Sequence, residues 1–327
     1  MPPPSKRPRT DSNVTSEPRP QELGIMRQEV GGHGSASFVG SASGIHFVQS
    51  VYQAVNQASP AAQSSHQEPH QELVPGEEDQ LPGRSPGQDP VTLWRSDETT
   101  SRMLSVSFED LVRWSRSYFD HWHPILPFLH GPEFLEWCEK ISNRAPSDMH
   151  QHMSTFQLAV IRSVLSICLA DRRQTKSDSA TDPMPPSLVF ESYEDAMASV
   201  QSVLVAPPSN ESLQAAMSVQ LFLISMLRHN AASRIGGVVV RLLYQMGLHR
   251  CPFRYSHFSH DECLLRKRLF WSIYCIERYL CQSLGTPLTL RDDDIDVCSL
   301  CEEEHRREEL NHARKWTRGG VASCADH

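Results

Sequence analysis

An all-α, multi-helix fold is predicted by three features of the 327-residue sequence. From about residue 107 onward, apolar side chains recur at steps of three and four, which places them on one face of a helix. Two of these periodic stretches stop at a glycine, Gly247 and Gly285, the second followed by Pro287, as helix C-termini commonly do. No alternating strand pattern of useful length interrupts them. No repeat of fixed period is present either, although two-helix hairpins recur.

Taken in order, residues 1–100 are expected to be largely disordered. Twelve of the 23 prolines lie in residues 1–90, among many Ser, Gln, Gly and Glu. Such a segment buries too little apolar surface to offset the entropy of ordering it. Order is expected to begin at Ser107, which caps a helix with Asp110 completing a weak capping box. Its stripe is Phe108, Leu111, Val112, Ser115, Tyr118, Phe119 and Trp122, and His123-Pro124 stops it. Residues 124–130 read as an extended apolar connector, and Pro132 suits the first turn of a short helix carrying Phe134, Leu135 and Trp137.

Residues 153–170 are apolar nearly all round, the mark of a central helix. A polar, Pro-containing loop is expected over 171–187, then helices at about 188–205, 211–228 and 231–246. Ser209 or Asn210 caps the second of these, whose buried face is Leu213, Met217, Leu221, Ile224 and Leu227. The third carries Ile235, Val238, Val239, Leu242, Leu243 and Met246, and its Gly236-Gly237 pair predicts close packing by another backbone. Gly247 is its left-handed C-cap. A last long helix, about 261–283, ends at Gly285. Residues 301–327 form a polar tail without an apolar stripe.

The formal net charge of −8 argues against the whole chain being a nucleic-acid-binding module, since phosphate neutralisation needs clustered Lys and Arg. Nine cysteines at 138, 168, 251, 263, 275, 281, 298, 301 and 324, several among apolar residues, fit reduced, buried thiols better than a disulfide framework. No run of eighteen apolar residues predicts a membrane span, and no apolar signal-peptide core is present at the N-terminus. Lys6, Arg7 and Arg9 form a compact basic cluster of nuclear-localisation type.

No phosphate-binding glycine loop, nucleophile elbow or zinc-protease helix is present. Cys298-x-x-Cys301 with His305 and His312 has zinc donor types but no established finger spacing, and His121, His123 and His130 read as packing residues. Asp292-Asp293-Asp294-Ile295-Asp296 lacks the spaced ligands and glycine of a calcium loop and reads as a solvated acidic loop. No catalytic residue, metal site or cofactor is therefore expected. In Arg266-Lys267-Arg268, adjacent helical positions point about 100° apart, so the triplet cannot present one basic face. Its arginines are expected to reach carboxylates in residues 292–296 while their stems cover apolar surface.

Two ordered anchors carry a family resemblance. One is Tyr118-Phe119-Asp120-His121-Trp122-His123-Pro124-Ile125-Leu126-Pro127. The other runs from Gly247-Leu248-His249-Arg250 through Arg266, Arg268, Phe270 and Trp271, then Glu277-Arg278, Gly285, Pro287, Asp294 and Asp296. With these, residues 105–300 resemble the regulatory, or middle homology, region of fungal transcription factors of the six-cysteine zinc-cluster class. They are similar to the regulatory region of xylanolytic activators.

The resemblance implies a nuclear regulator of RNA polymerase II transcription whose helical domain controls activity. It also implies partners among the transcriptional machinery or other zinc-cluster factors, as a homo- or heterodimer. In that family zinc and DNA contact belong to an N-terminal cysteine cluster, whereas the first cysteine here is Cys138. DNA contact is thus expected only indirectly, through a missing or partner zinc cluster. The family region continues with more helices past its Asp-Ile-Asp segment, so the polar tail carries the expectation of a truncated or mispredicted gene product. The alternative left open is a helical small-molecule-binding protein or metabolic enzyme with an unrecognised site.

Overall fold

The computed structural model describes residues 24–28, 36–58, 92–95, 97–100, 106–142, 153–175 and 183–300. Most of the segment read as disordered, and all of the tail from residue 301, lie outside the described residues.

Within that first segment three elements form where the sequence pattern predicted none. Strands β1 (Ile25–Gln28) and β2 (Ala36–Val39) pair antiparallel with Ile25 opposite Val39. Neither Ile25-Met26-Arg27-Gln28 nor Ala36-Ser37-Phe38-Val39 alternates strictly between apolar and polar residues, so the period-two signal is absent. Helix α1 (Gly44–Ala58) follows, its first turn held by Ser43 Oγ accepting the His46 N–H at 3.0 Å. Its apolar side chains Phe47, Val51 and Val55 face solvent, which hides the helix from a search for a buried stripe. What supports it is distant in sequence: the Gly40 N–H donates to Leu284 O at 3.1 Å, and α1 packs on the last helix of the chain.

Helix α2 (Phe108–Ser117) begins with the expected capping box. Ser107 Oγ accepts the Asp110 N–H at 3.1 Å while Asp110 Oδ2 accepts the Ser107 N–H at 3.2 Å. Leu111, Trp114 and Tyr118 carry its buried face, whereas Phe108 and Val112 are exposed. Over Tyr118–Trp122 the coil widens into a π-turn, closed by His123 N–H to Tyr118 O at 2.9 Å. The π-turn docks on the central helix: Ser117 Oγ and Trp122 Nε1 both donate to Asp171, at 2.6 and 3.1 Å. Helix α3 (Gly131–Ser142) buries Phe134, Trp137, Cys138 and Ile141.

Helix α4 (Thr155–Thr175) is buried on nearly every side from Leu158 to Ala170, as a helix at the centre of a bundle must be. It runs into the region expected to be loop. Arg172 and Arg173 favour the negative helix end, and Arg173 pairs with Glu98 at 2.5 Å.

The single helix expected at 188–205 is instead three short pieces: a 3-10 turn at Pro186–Leu188, α5 (Tyr193–Ser199) and a 3-10 turn at Gln201–Leu204. The backbone between the first two is satisfied by side chains from elsewhere. Phe190 N–H donates to Ser166 Oγ at 3.0 Å, Trp94 Nε1 donates to Phe190 O at 2.6 Å, and Arg162 donates to Val189 O at 2.8 Å. Once those groups have partners outside a helix, helix formation there gains nothing.

Helix α6 (Asn210–Ser225) is capped by Ser209 and lies against α4 across the middle of the core. Its buried amides have partners: Gln214 Nε2 donates to Phe128 O at 2.8 Å, and Gln220 Nε2 donates to Ala232 O at 3.2 Å. Leu213, Met217, Leu221 and Ile224 are buried as expected, but Leu227 is 49% exposed. It takes the left-handed φ of 58° that ends the helix.

Helix α7 (His229–Gln245) packs on α6, and α8 (His260–Leu284) packs on α7. The close approach predicted at Gly236 is real, but the neighbour is a side chain. A Cβ on Gly236 would lie 2.7 Å from Gln220 Nε2, and one on Gly237 meets open space.

Candidate functional site

The signature residues converge on a clasp formed by the turn after α7, the helix α8 and the segment from Gly285 to residue 300. Its first part is a helix stop. Met246 caps α7 and Gly247 adopts φ +64°. Leu248 N–H then reaches back to Leu243 O at 3.0 Å and Gly247 N–H to Tyr244 O at 3.1 Å. These are the paired bonds of a Schellman motif, and they bury Leu248 beneath the turn. The His249 ring packs edge-on to Tyr244 at 5.1 Å. Burial, followed by the neighbouring Arg250, holds its imidazole below the ordinary histidine value.

Helix α8 starts with Ser259 Oγ accepting the Glu262 N–H at 3.2 Å and ends at Gly285 with φ +67°. Gly285 serves two needs at once, because a Cβ there would also lie 2.7 Å from the backbone of Gly40. The two arginines of the basic triplet do not reach the carboxylates expected of them. Arg266 donates to Met246 O, an unpaired carbonyl at the end of α7, and stacks over Phe258 at 4.4 Å. Lys267 is only 1% exposed and donates to Ser299 O, beside the ring of Phe253. Arg268 is half-buried on the side of His123, whose ring it helps, after burial, to hold below its usual pKa. Phe270 is fully buried, and Trp271 Nε1 donates to Cys298 O at 3.1 Å.

Other arginines serve the acidic segment. Arg278 donates to Asp292 Oδ1 at 2.6 Å and to Leu290 O at 3.0 Å, and it lies over Tyr274. Asp296 accepts the Cys251 N–H at 2.7 Å and faces Arg254 at 3.1 Å and Arg250 at 3.8 Å. Its own N–H donates to His249 O at 3.2 Å, so the first and last parts of the signature are joined directly. Asp294 is the last residue of a 3-10 turn, Asp292–Asp294, which its N–H closes on Arg291 O at 3.1 Å, and its side chain is exposed. Pro287 O faces Cys281 Sγ at 3.4 Å. Buried Glu277 accepts the N–H groups of Thr289 at 2.5 Å and Leu290 at 3.4 Å, anchoring the segment that follows α8.

His121, His123 and His130 do not share a centre. His123 packs near Phe119 at 5.3 Å, while His130 sits 3.8 Å from Glu133. Among the described residues no three His, Cys, Asp or Glu side chains group as metal ligands, and no helix is long and apolar enough to cross a membrane. Cys301, His305 and His312, like Lys6, Arg7 and Arg9, lie outside the described residues. Of the seven described cysteines only Cys275 is exposed, and burial pushes the Cys138 and Cys168 thiols up to about 12.

Sequence reasoning missed Arg254, the Arg162–Asp195 pair beneath α5, and the contact between Cys251 and Cys298. An arginine inside the apolar run of α4 was the available signal for the second. The others depend on chain segments far apart.

A family model described as fungal specific transcription factor domain matches residues 116–324. The probable transcription factor FUP6 of Fusarium proliferatum is 31% identical over 331 residues, covering 96% of this chain and 46% of that protein. Activator of stress genes 1 of Saccharomyces cerevisiae is 25% identical, over 57% of this chain and 19% of its own length. An ABC-transporter-regulating transcription factor of Aspergillus oryzae is 25% identical, over 58% of this chain and 20% of its own. The chain thus spans less than half the length of each of these relatives. No solved structure gives a significant match. With the signature clasp in place and the family model covering well over half of its residues, the chain belongs to the fungal specific transcription factor domain family.

Proposed function

We propose that residues 105–300 form the regulatory and interaction domain of a nuclear regulator of RNA polymerase II transcription. The observation that carries this reading is the inward direction of the signature. Arg266 and Lys267 bond to backbone carbonyls of the clasp, and Arg250, Arg254 and Arg278 pair with its carboxylates. Cations committed to internal carbonyls and carboxylates contribute little to a phosphate-binding surface. The net charge of −8 works in the same direction.

Sequence-specific DNA contact is then delegated to a zinc cluster outside these 327 residues or on a partner factor, since no cysteine precedes Cys138. Partners are the transcriptional machinery or other zinc-cluster factors, met as a homo- or heterodimer. Lys6, Arg7 and Arg9 serve as the import signal.

The test tethers the chain to an unrelated DNA-binding domain upstream of a reporter gene. Reporter output changes when the chain is fused, and cross-linked extracts of the same cells contain polymerase II cofactors or a zinc-cluster factor. A reporter indifferent to the fusion, together with no such partner, overturns the reading. Alanine at Lys6, Arg7 and Arg9 together is expected to abolish nuclear accumulation of a fluorescent fusion.

A further inference from the structure

We propose that Cys251 and Cys298 form a modification site. In this reading the thiol pair is oxidised by a peroxide to an intramolecular disulfide that staples the two halves of the clasp. The two Sγ atoms lie 3.5 Å apart although 47 positions separate them in sequence. A disulfide needs about 2.0 Å between the sulfurs and side chains directed at each other. Closure therefore asks for an approach of about 1.5 Å, within reach of a modest torsion at either Cβ.

The facing is enforced by the backbone around both cysteines. Cys251 N–H is bonded to Asp296 Oδ1 at 2.7 Å and Asp296 N–H to His249 O at 3.2 Å, so the two segments run side by side. On the far side Trp271 Nε1 holds Cys298 O at 3.1 Å and Lys267 holds Ser299 O. None of these bonds needs to break for the sulfurs to join.

Access sets the order of events. Cys251 is 0% exposed and Cys298 8% exposed, so Cys298 meets the oxidant. Its thiolate attacks a peroxide oxygen, the O–O bond breaks, and Cys298 becomes a sulfenic acid with release of water or an alcohol. The Cys251 thiolate then attacks the Cys298 sulfur, the S–O bond breaks, and a second oxygen leaves as water. Overall, two thiols lose two hydrogens and two electrons, and one peroxide is reduced. Burial pushes the Cys251 thiol above the usual range, which keeps it protonated and slow toward the oxidant itself, so the second step rests on the 3.5 Å contact with the electrophilic sulfur. The disulfide fixes the turn after α7 to the segment after α8 and denies the clasp any opening.

The experiment treats the reduced full-length chain with hydrogen peroxide, caps free thiols, and maps linked peptides by mass spectrometry without reduction. The expected product is a single Cys251–Cys298 bridge that dithiothreitol reverses. Closing a loop of this length raises Tm by roughly 8–15 °C in a domain of this size. Cys298→Ser, and separately Cys251→Ala, remove both the linked peptide and the shift in Tm. Linkage of Cys298 to Cys301 overturns the proposal. So does Cys298 advancing to sulfinic acid while Cys251 remains free, or an oxidised chain whose Tm does not rise. If Cys251→Ala fails to fold, the wild-type map and Cys298→Ser decide between these outcomes.

Discussion

Replacing Asp296 by alanine removes at once the acceptor of the buried Cys251 N–H and the carboxylate that Arg254 and Arg250 face. An orphaned N–H in a buried position costs about 1–3 kcal/mol. The two arginines are 48% and 46% exposed, so each ion pair adds only about 0.2–1 kcal/mol. The sum is about 3 kcal/mol, which lowers Tm by roughly 6–12 °C in a domain of this size. Asp296→Asn keeps an oxygen in place for the Cys251 N–H and loses only the charge, at a cost of about 1 kcal/mol or less.

Thermal melting with tryptophan fluorescence is the assay. Trp271, bonded to Cys298 O in the same clasp, reports locally. If alanine and asparagine destabilise equally, the backbone bond contributes nothing and the reasoning fails. A neutral alanine variant refutes the clasp itself.

The two helix-ending glycines are expected to differ. Gly247→Ala has open space around its Cβ and costs only the left-handed conformation, about 1–2 kcal/mol. Gly285→Ala adds a collision with Gly40 and costs roughly 2–4 kcal/mol, measured by urea unfolding. At Leu227, a non-glycine residue already holds φ 58° with its side chain half exposed, so Leu227→Asn raises stability by about 0.5–1 kcal/mol in the same measurement. His123, held low by burial and then by Arg268, and His249, held low by burial and then by Arg250, take up protons less readily folded than unfolded. Stability present at pH 7–8 is therefore lost as pH falls through about 6.5 toward 5, and melting of His123→Gln follows a flatter pH curve. Asp110, held low by the Ser107 hydroxyl, acts only below the ordinary carboxylate range, outside that window.

What the sequence makes legible here is whatever is decided locally. A Ser three residues ahead of an Asp, or a Gly after an apolar stripe, satisfies backbone groups with its immediate neighbours. The starts and stops at Ser107, Ser209, Gly247 and Gly285 were readable for that reason. What depends on distant partners was not. The break across residues 188–205 exists because Ser166, Arg162 and Trp94 take over its backbone bonds. Helix α1 stands where its Phe47, Val51 and Val55 face water, because Gly40 can approach Gly285.

The basic triplet divides along the same line. Helical geometry alone excluded a single basic face, but it could not say that Arg266 would cap α7 while Arg254 and Arg278 took the carboxylates.

Arg266 offers the most direct test of the signature as internal architecture. Arg266→Ala removes a charged hydrogen bond to Met246 O and a ring contact with Phe258, together about 2–4 kcal/mol. Binding of a labelled DNA duplex, followed against salt on the same preparation as the melt, reads the competing role. The expected result is a Tm lower by roughly 4–16 °C with duplex binding and its salt slope unchanged. An unchanged Tm with weaker binding and a salt slope reduced by about one contradicts it.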